Sequence, residues 1–259
     1  MQIFLAVTPQ ELRSAMQWRC GLAHVAYRIG PESTLLRQNL LLDTRGGLLS
    51  LSDQDAPIIA DPEKLSAAII RECSRRNYGG ALLDFESPVG QDRQSFAAEL
   101  DRVMSRNRRA LYVPETYSKS APGGAVLLCT AMSGGNFTER LREAVSLRGA
   151  GHVALDLQRL RMDFSLPARS GAGKPMTGEA LTALMDARAP SVFFSQDLCA
   201  RYFTYVRETE THFVLYDDAD TLLQKIRIGG SLGIGTAFLM YPEVQDLLPK
   251  LFRANGSRQ

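Results

Sequence analysis

The chain has 259 residues, enough for one large α/β barrel or two small domains. Its 45% hydrophobic and 22% charged residues are ordinary globular composition with ample material for a core, and a formal net charge of +2 without any long basic stripe argues against a nucleic-acid partner. The opening MQIFLAVTPQELRSAM lacks a basic start and a long apolar run, and no stretch reaches bilayer-spanning length; the expectation is no signal peptide, a cytoplasmic location and no membrane partner, with spore or wall association left open.

In chain order, IFLAV (3–7) reads as a strand leading into a helix that begins near Thr8-Pro9, and HVAYRI (24–29) as a second strand. The stretch 31–60 reads as irregular, with DTRGG as a turn inside it. Asp61 caps a helix that has Pro62 at its first position and Leu65, Ala68, Ile69 and Cys73 on one face. A third strand ends in DFES, and the helix after it carries Phe96, Leu100, Val103 and Met104 inward; its basic end, SRNRR, is read as a solvated surface. ALYVPE (110–115) and AVLLCTAM (125–132) are strands four and five. Asn136 and Glu139 have the spacing of a capping box. HVALDL (152–157) is strand six, MTGEALTALMDA a helix, and SVFFS (191–195) strand seven. ARYFTYV and THFVLYDD bracket a polar RETE turn as a hairpin, and DADTLLQKIRIGGSLG and GTAFLMY (235–241) are the last helix and strand. Strands alternating with helices imply a parallel sheet. About eight such units predict a (β/α)8 TIM barrel over residues 1–259 as one domain, with a small β-hairpin insertion near the C-terminal strands.

Cys20, Cys73, Cys129 and Cys199 form no CxxC pair, and His24, His152 and His212 are far apart. The cysteines are read as small apolar core residues of a reducing compartment, and no metal site is expected. Two glycine-rich stretches are set aside. ARSGAGKPM resembles a phosphate loop, but Pro175 stands where a Ser or Thr should bind magnesium and no strand is evident before it. GGSLGIG (229–235) sits between a helix and a strand, where a tight turn accounts for it.

The third strand, in YGGALLDFES (78–87), raises the functional question, because a buried-looking run ends in two acids. Side chains alternate along a strand, so Leu82, Asp84 and Glu86 share one face while Ala81, Leu83 and Phe85 share the other. In a barrel the wholly apolar face meets the helices. The acids then point inward and emerge at the C-terminal mouth, where barrel enzymes place their chemistry. Two adjacent carboxyls repel, so the pair tends to hold a proton and can act as a general acid with a modulator. The competing reading is that they cap the next helix or pair with an arginine such as Arg93.

GGALLDFES resembles the Asp-Gly-x-Asp-x-Asp-x-Glu signature of glycoside hydrolase family 18, the chitinase-like barrels, and is closer still to the bacterial spore-wall branch. VLYDDADTLLQKIRIGGSLGIGTAFLMYPEV, about 130 residues on, is similar to the last βα unit of that family, with Tyr216, Asp217, Asp218, Thr221 and Lys225 in its pattern. The resemblance implies Glu86 as the general acid and Asp84 as the residue that holds a 2-acetamido group for attack on the anomeric carbon, a substrate-assisted route. It implies no cofactor. The implied partner is an N-acetylated oligosaccharide or a cell-wall glycan. The chain departs from the family at Gly79 and Leu82, where it has Asp. ALDLQRL offers no tyrosine where the sixth strand has one, and Leu239 or Met240 occupies the place of the tryptophan floor. Tyr117, Tyr241, Tyr216 and Met240 are the candidates for substrate contact, with packing the competing role for the tyrosines. Asp217 and Asp218 are expected to stabilise the barrel end and cap the next helix, with Lys225 as their partner. Two functions stand side by side: a glycosidase, and a barrel that kept the fold, lost turnover and binds a glycan or a protein. An unrelated barrel acting on a phosphorylated metabolite has little support. Oligomeric state is not legible.

Overall fold

Phe4 and Ala6 alternate with Ile3, Leu5 and Val7 along the first strand, and this two-sided apolar pattern is what a closed parallel barrel demands, with one face on the axis and the other under helices. A computed structural model describes residues 1–38, 45–167 and 173–256, the last three by backbone alone. In chain order the strands are β1 (Gln2–Val7), β2 (Gly21–Gly30), β3 (Thr34–Arg37), β4 (Leu48–Ser52), β5 (Gly80–Asp84), β6 (Ala110–Pro114), β7 (Ala125–Cys129), β8 (Val153–Asp156), β9 (Arg161–Leu166), β10 (Lys174–Pro175), β11 (Phe193–Ser195), β12 (Ala200–Arg207), β13 (Glu210–Tyr216) and β14 (Thr236–Met240). The helices are α1 (Leu12–Ala15), α2 (Pro62–Arg76), α3 (Gln91–Arg106), α4 (Phe137–Arg148), α5 (Gly178–Arg188), α6 (Ala219–Ser231), α7 (Tyr241–Val244) and α8 (Leu248–Gly256). No helix among the described residues is long and apolar enough to cross a membrane.

Strands β1, β2, β4, β5, β6, β7, β8 and β14 pair in parallel, and the β1–β2 and β1–β14 pairings close them into an eight-stranded barrel. β3 adds antiparallel to β2 outside it. The expected (β/α)8 architecture is therefore present, but its membership differs from the sequence reading in two places. The third barrel strand is β4, inside the stretch read as irregular. The segment SVFFS is not a barrel strand at all: β11 joins a second, antiparallel sheet in the order β10-β9-β13-β12-β11. The expected hairpin is β12–β13 at the centre of that sheet, which the chain forms between β8 and α6. HVALDL, counted sixth, contributes the seventh barrel strand, and the sixth is β7. Of the phosphate-loop-like stretch, residues 168–172 lie outside the described residues; β9 does run up to it, a strand the sequence did not reveal. Asp43 and Thr44 of the expected DTRGG turn also lie outside them.

The barrel axis is filled at its lower end by Phe4, Ala23, Leu48, Leu82, Ala154 and Phe238, small residues beside large, with Phe4 stacked on Phe238 at 5.4 Å and Tyr112 edge-on to Phe238 at 4.8 Å. Gly80 allows β5 to approach β6, since a Cβ there would lie 2.0 Å from the Ala110 carbonyl oxygen. Ala81, Leu83 and Phe85 face out against Leu65, Ile69 and Phe96 of α2 and α3, as their alternation predicts. Helix starts follow the caps read from sequence. The Lys64 amide donates to Asp61 at 2.9 Å, and the Glu139 amide donates to Asn136 at 3.0 Å. Asp218 and Thr221 form a reciprocal capping box on α6. Cys73 and Cys199 are buried, Cys20 and Cys129 half-buried, and all four are free thiols.

Candidate active site at the barrel mouth

All eight barrel strands run the same way, so their C-terminal ends gather the residues that follow them on one face. There Asp84 and Glu86 line a cavity of about 350 Å³ whose wall also includes Ser50 of β4, Asp156 of β8, and Phe238 and Met240 of β14. The same two acids line a smaller hollow of about 130 Å³ beside Arg28 and Gln54. A third cavity, about 490 Å³, lies toward the antiparallel sheet and adjoins the first through Gln158, Arg159 and Glu243. Among the described residues the mouth is thus a chain of hollows, and β4 together with Gln38 and Gln54 forms part of its wall.

Neither acid is spent on the next helix or on Arg93. The Arg93 guanidinium instead meets Asp53, with Nε 2.9 Å from Oδ2. Asp53, fully buried just past β4, uses its other oxygen to accept the Glu86 amide at 2.9 Å and the Ser87 amide at 3.3 Å. Burial works against an ionised Asp53, but Arg93 and the two amides outweigh it and hold its carboxyl below the usual range. This anchor fixes the backbone from which the exposed Glu86 side chain projects.

Asp84 has the opposite surroundings. Among the described residues it makes no hydrogen bond or ion pair. Burial first, then repulsion from Glu86, Asp156 and Asp53, pushes its carboxyl up to about 6. Asp156 is also shifted upward by burial, against the single hydrogen bond it accepts, from Gln158 Nε2 at 2.8 Å. Two part-desolvated carboxyls border one cavity, neither paired with a basic side chain among the described residues, and both keep their protons to higher pH than free carboxyls do. No group of three His, Cys, Asp or Glu side chains among the described residues is arranged to hold a metal ion.

Of the other expected substrate contacts, Met240 lines the cavity, 37% exposed. The three tyrosines do not, and these expectations are corrected. Tyr117 is fully buried in the outer layer, edge-on to Phe85 at 5.7 Å. Tyr216 packs beside Phe203 and Leu181 under the antiparallel sheet. Tyr241 starts α7 and turns into the core between the barrel and the helices. Tyr117 and Tyr241 follow barrel strands but turn into the layer between barrel and helices, and Tyr216 ends β13 of the antiparallel sheet. Asp217, Asp218 and Lys225 have their expected structural roles. Lys225 Nζ sits 2.7 Å from Asp217 Oδ2, both side chains fully buried, and also donates to the Thr130 carbonyl. β7, the sixth barrel strand, ends at Cys129 and is followed by Thr130, so it offers no tyrosine either.

Sequence reasoning missed Asp156, Asp53, Ser50 and Phe238. For Asp156 the signal was present: VALD repeats the pattern of ALLD, an apolar strand finishing in an acid. Asp53 carried no such mark, because its strand had not been recognised.

No family model matches the chain, and no curated protein matches it. Among solved structures, a chitinase from Chromobacterium violaceum aligns with TM-score 0.72 at 13% identity over 100% of this chain and 99% of that one. The Bacillus cereus spore cortex-lytic enzyme SleL aligns with TM-score 0.70 at 17% identity, over 97% of this chain and 74% of that one. A mutant family 18 chitinase from Cycas revoluta, in complex with (GlcNAc)4, aligns with TM-score 0.67 at 12% identity over 99% of this chain and 100% of that one. The chain has the barrel fold that these chitinases and the spore cortex-lytic enzyme share.

Proposed function

We propose that the protein is a glycoside hydrolase of the family 18 type, acting on N-acetylated glycans of the chitin or peptidoglycan kind. One observation carries the reading: Asp84, at the end of the fourth barrel strand, and Glu86, two residues past it, both border an open cavity at the C-terminal mouth of a barrel whose fold chitinases share. In this reading Glu86 gives its proton to the glycosidic oxygen as the bond to the anomeric carbon breaks. The sugar's own acetamido oxygen forms the new bond to that carbon, and Asp84 accepts the acetamido N–H to orient it. Water then opens the cyclic intermediate, returning a proton to Glu86. The binding of N-acetylglucosamine oligomers by a neighbour of the same fold is consistent with this substrate class.

The second reading, a barrel that binds a glycan or a protein without turning it over, is favoured by Leu82, which places an apolar side chain on the axis below Asp84, and by a main cavity whose lining, among the described residues, has one aromatic, the 4%-exposed Phe238. Glu86→Gln separates the two. With N-acetylglucosamine oligomers and muropeptide glycan as substrates, the variant should lose about 10²- to 10⁴-fold in rate while its circular dichroism and melting stay those of wild type. Absence of wild-type turnover on both substrates from acid to neutral pH would reject the hydrolase.

A further inference from the structure

The inference concerns Asp156 and rests on the reading of Asp84 and Glu86 as the reacting pair. Position 82 is one residue pair deeper than Asp84 on the same inward face, and there the chain has leucine. An acid at that depth would have kept a second negative charge beside Asp84. The chain supplies one from elsewhere: Asp156 ends β8, with β6 and β7 between it and β5, and lines the same 350 Å³ cavity as Asp84 and Glu86. We propose that Asp156 is a positioning acid for this site: an unpaired carboxyl that borders the same cavity from two strands beyond β5's neighbour β6 and acts on the reacting pair through Asp84.

The surroundings leave that role to Asp156. β1 and β2 contribute Ala6 and Val25 to the cavity, and Arg28 lines only the smaller hollow. β4 contributes Ser50, whose buried hydroxyl has no hydrogen-bond partner among the described residues, while Asp53 behind it is held by Arg93. β7 contributes Leu127; Cys129, opposite Asp156 in register, is kept as a neutral thiol by burial. Arg159, the cation on the cavity wall, gives its Nη1 to Asp246 Oδ1 at 2.7 Å and to the Glu243 carbonyl, its buried Nε has no partner among the described residues, and it makes no ion pair with Asp156. Glu243 is bound by Arg161 at 3.0 Å. Asp156 therefore stands as the one wall acid besides Asp84 and Glu86 without a cation among the described residues. Repulsion between two such carboxyls is mutual. The one that keeps its proton longer feels the other as an anion, and the one that ionises first feels a neutral neighbour, so the upward push falls on Asp84.

The test is Asp156→Asn, which keeps the shape and the Gln158 contact and removes the charge. The carboxyl carbon of Asp84, followed by NMR in a pH titration, should shift its midpoint downward by on the order of 0.5 to 1 pH unit. The alkaline limb of hydrolysis of an N-acetylglucosamine oligomer should move the same way, because removing a negative neighbour releases the proton at lower pH. A packing role would leave both midpoints where they are, and an unchanged Asp84 titration overturns the proposal whatever the turnover. A shifted titration in a protein whose wild type hydrolyses nothing upholds the acid coupling and rejects the hydrolase reading instead. Asp156→Ser repeats the titration should the amide variant fold poorly.

Discussion

Acids withdrawn from water stand at strand ends in two places, one in the antiparallel sheet and one at the barrel mouth, and their surroundings differ. After β13, Asp217 has both carboxylate oxygens engaged: Lys225 Nζ at 2.7 Å, the Thr221 hydroxyl at 2.7 Å and the Leu160 amide at 3.1 Å. At the mouth, Asp84 has no partner among the described residues, and Asp156 has one amide nitrogen. A buried carboxylate that is paired and hydrogen-bonded holds the structure in one arrangement, and one that is desolvated and unpaired is a cost the fold carries. The comparison teaches where to look for chemistry: at the acids the fold fails to satisfy, rather than at the acids it buries most deeply. Asp53 lies between the two kinds. It is satisfied like Asp217, yet it serves the mouth by holding the Glu86 and Ser87 amides.

The largest expected effect breaks the satisfied end. Lys225→Met leaves Asp217 buried without its cation and should lower the unfolding free energy by about 3 to 5 kcal/mol, measured by urea denaturation at neutral pH. Adding Asp217→Asn removes the stranded charge and keeps acceptor and donor atoms for Leu160 and Thr221, so the double variant should regain most of the loss. If the single variant melts like wild type, the ion pair is not what ties α6 to the ends of β7 and β13.

The unsatisfied end should respond with the opposite sign. The Asp84 carboxyl moves from an ordinary 3.8 in the unfolded chain to about 6 in the fold. A folded state that holds the proton more tightly loses stability as pH rises from the first value to the second, because the unfolded chain ionises first. Above about pH 6 the ionised group costs the fold on the order of 1 to 3 kcal/mol. Asp84→Asn should therefore raise stability by that amount near pH 7.5, and by almost nothing near pH 4, while hydrolysis falls. Stability gained together with activity lost is the signature of a site that keeps a strained charge for use. A destabilised amide variant at neutral pH would place Asp84 among the satisfied acids and remove the contrast.

The sequence made the barrel legible because its outward faces are almost purely apolar, as with Ala81, Leu83 and Phe85, and because helix caps such as Asp61-Pro62 and Asp218 are local signals. It made the acid pair legible because alternation alone places Asp84 and Glu86 inside. β4 was obscured by its own chemistry. In LLSLS the inward residues are Leu48, Ser50 and Ser52, so the alternation leads from the packed axis to a polar wall of the cavity, yet five residues after a glycine pair also read as loop. SVFFS failed in the other direction: an apolar run that looks like a barrel stave lies at the edge of the antiparallel sheet, with Phe193 and Phe194 each exposed. Asp156 was lost to register counting. With β4 missing, the strands from β5 to β8 are each numbered one too low, so an acid at the end of the seventh strand reads as one at the end of the sixth; the false stave SVFFS then restores the count for β14.

The smallest expected effect concerns Tyr117, which shows how the outward layer differs from the mouth at the level of one hydroxyl. It follows β6 as Glu86 follows β5, but its ring is fully buried against Phe85, and its hydroxyl has no hydrogen-bond partner among the described residues. A buried hydroxyl without a partner carries a desolvation cost, so Tyr117→Phe keeps the packing and removes a liability. The variant should be more stable by about 1 kcal/mol or less, with kcat and KM on an N-acetylglucosamine oligomer unchanged. A raised KM would return Tyr117 to the substrate. A loss of stability would mean that the hydroxyl is satisfied in solution, and the contrast between a packed outer layer and a chemically unsatisfied mouth would then rest on the carboxylates alone.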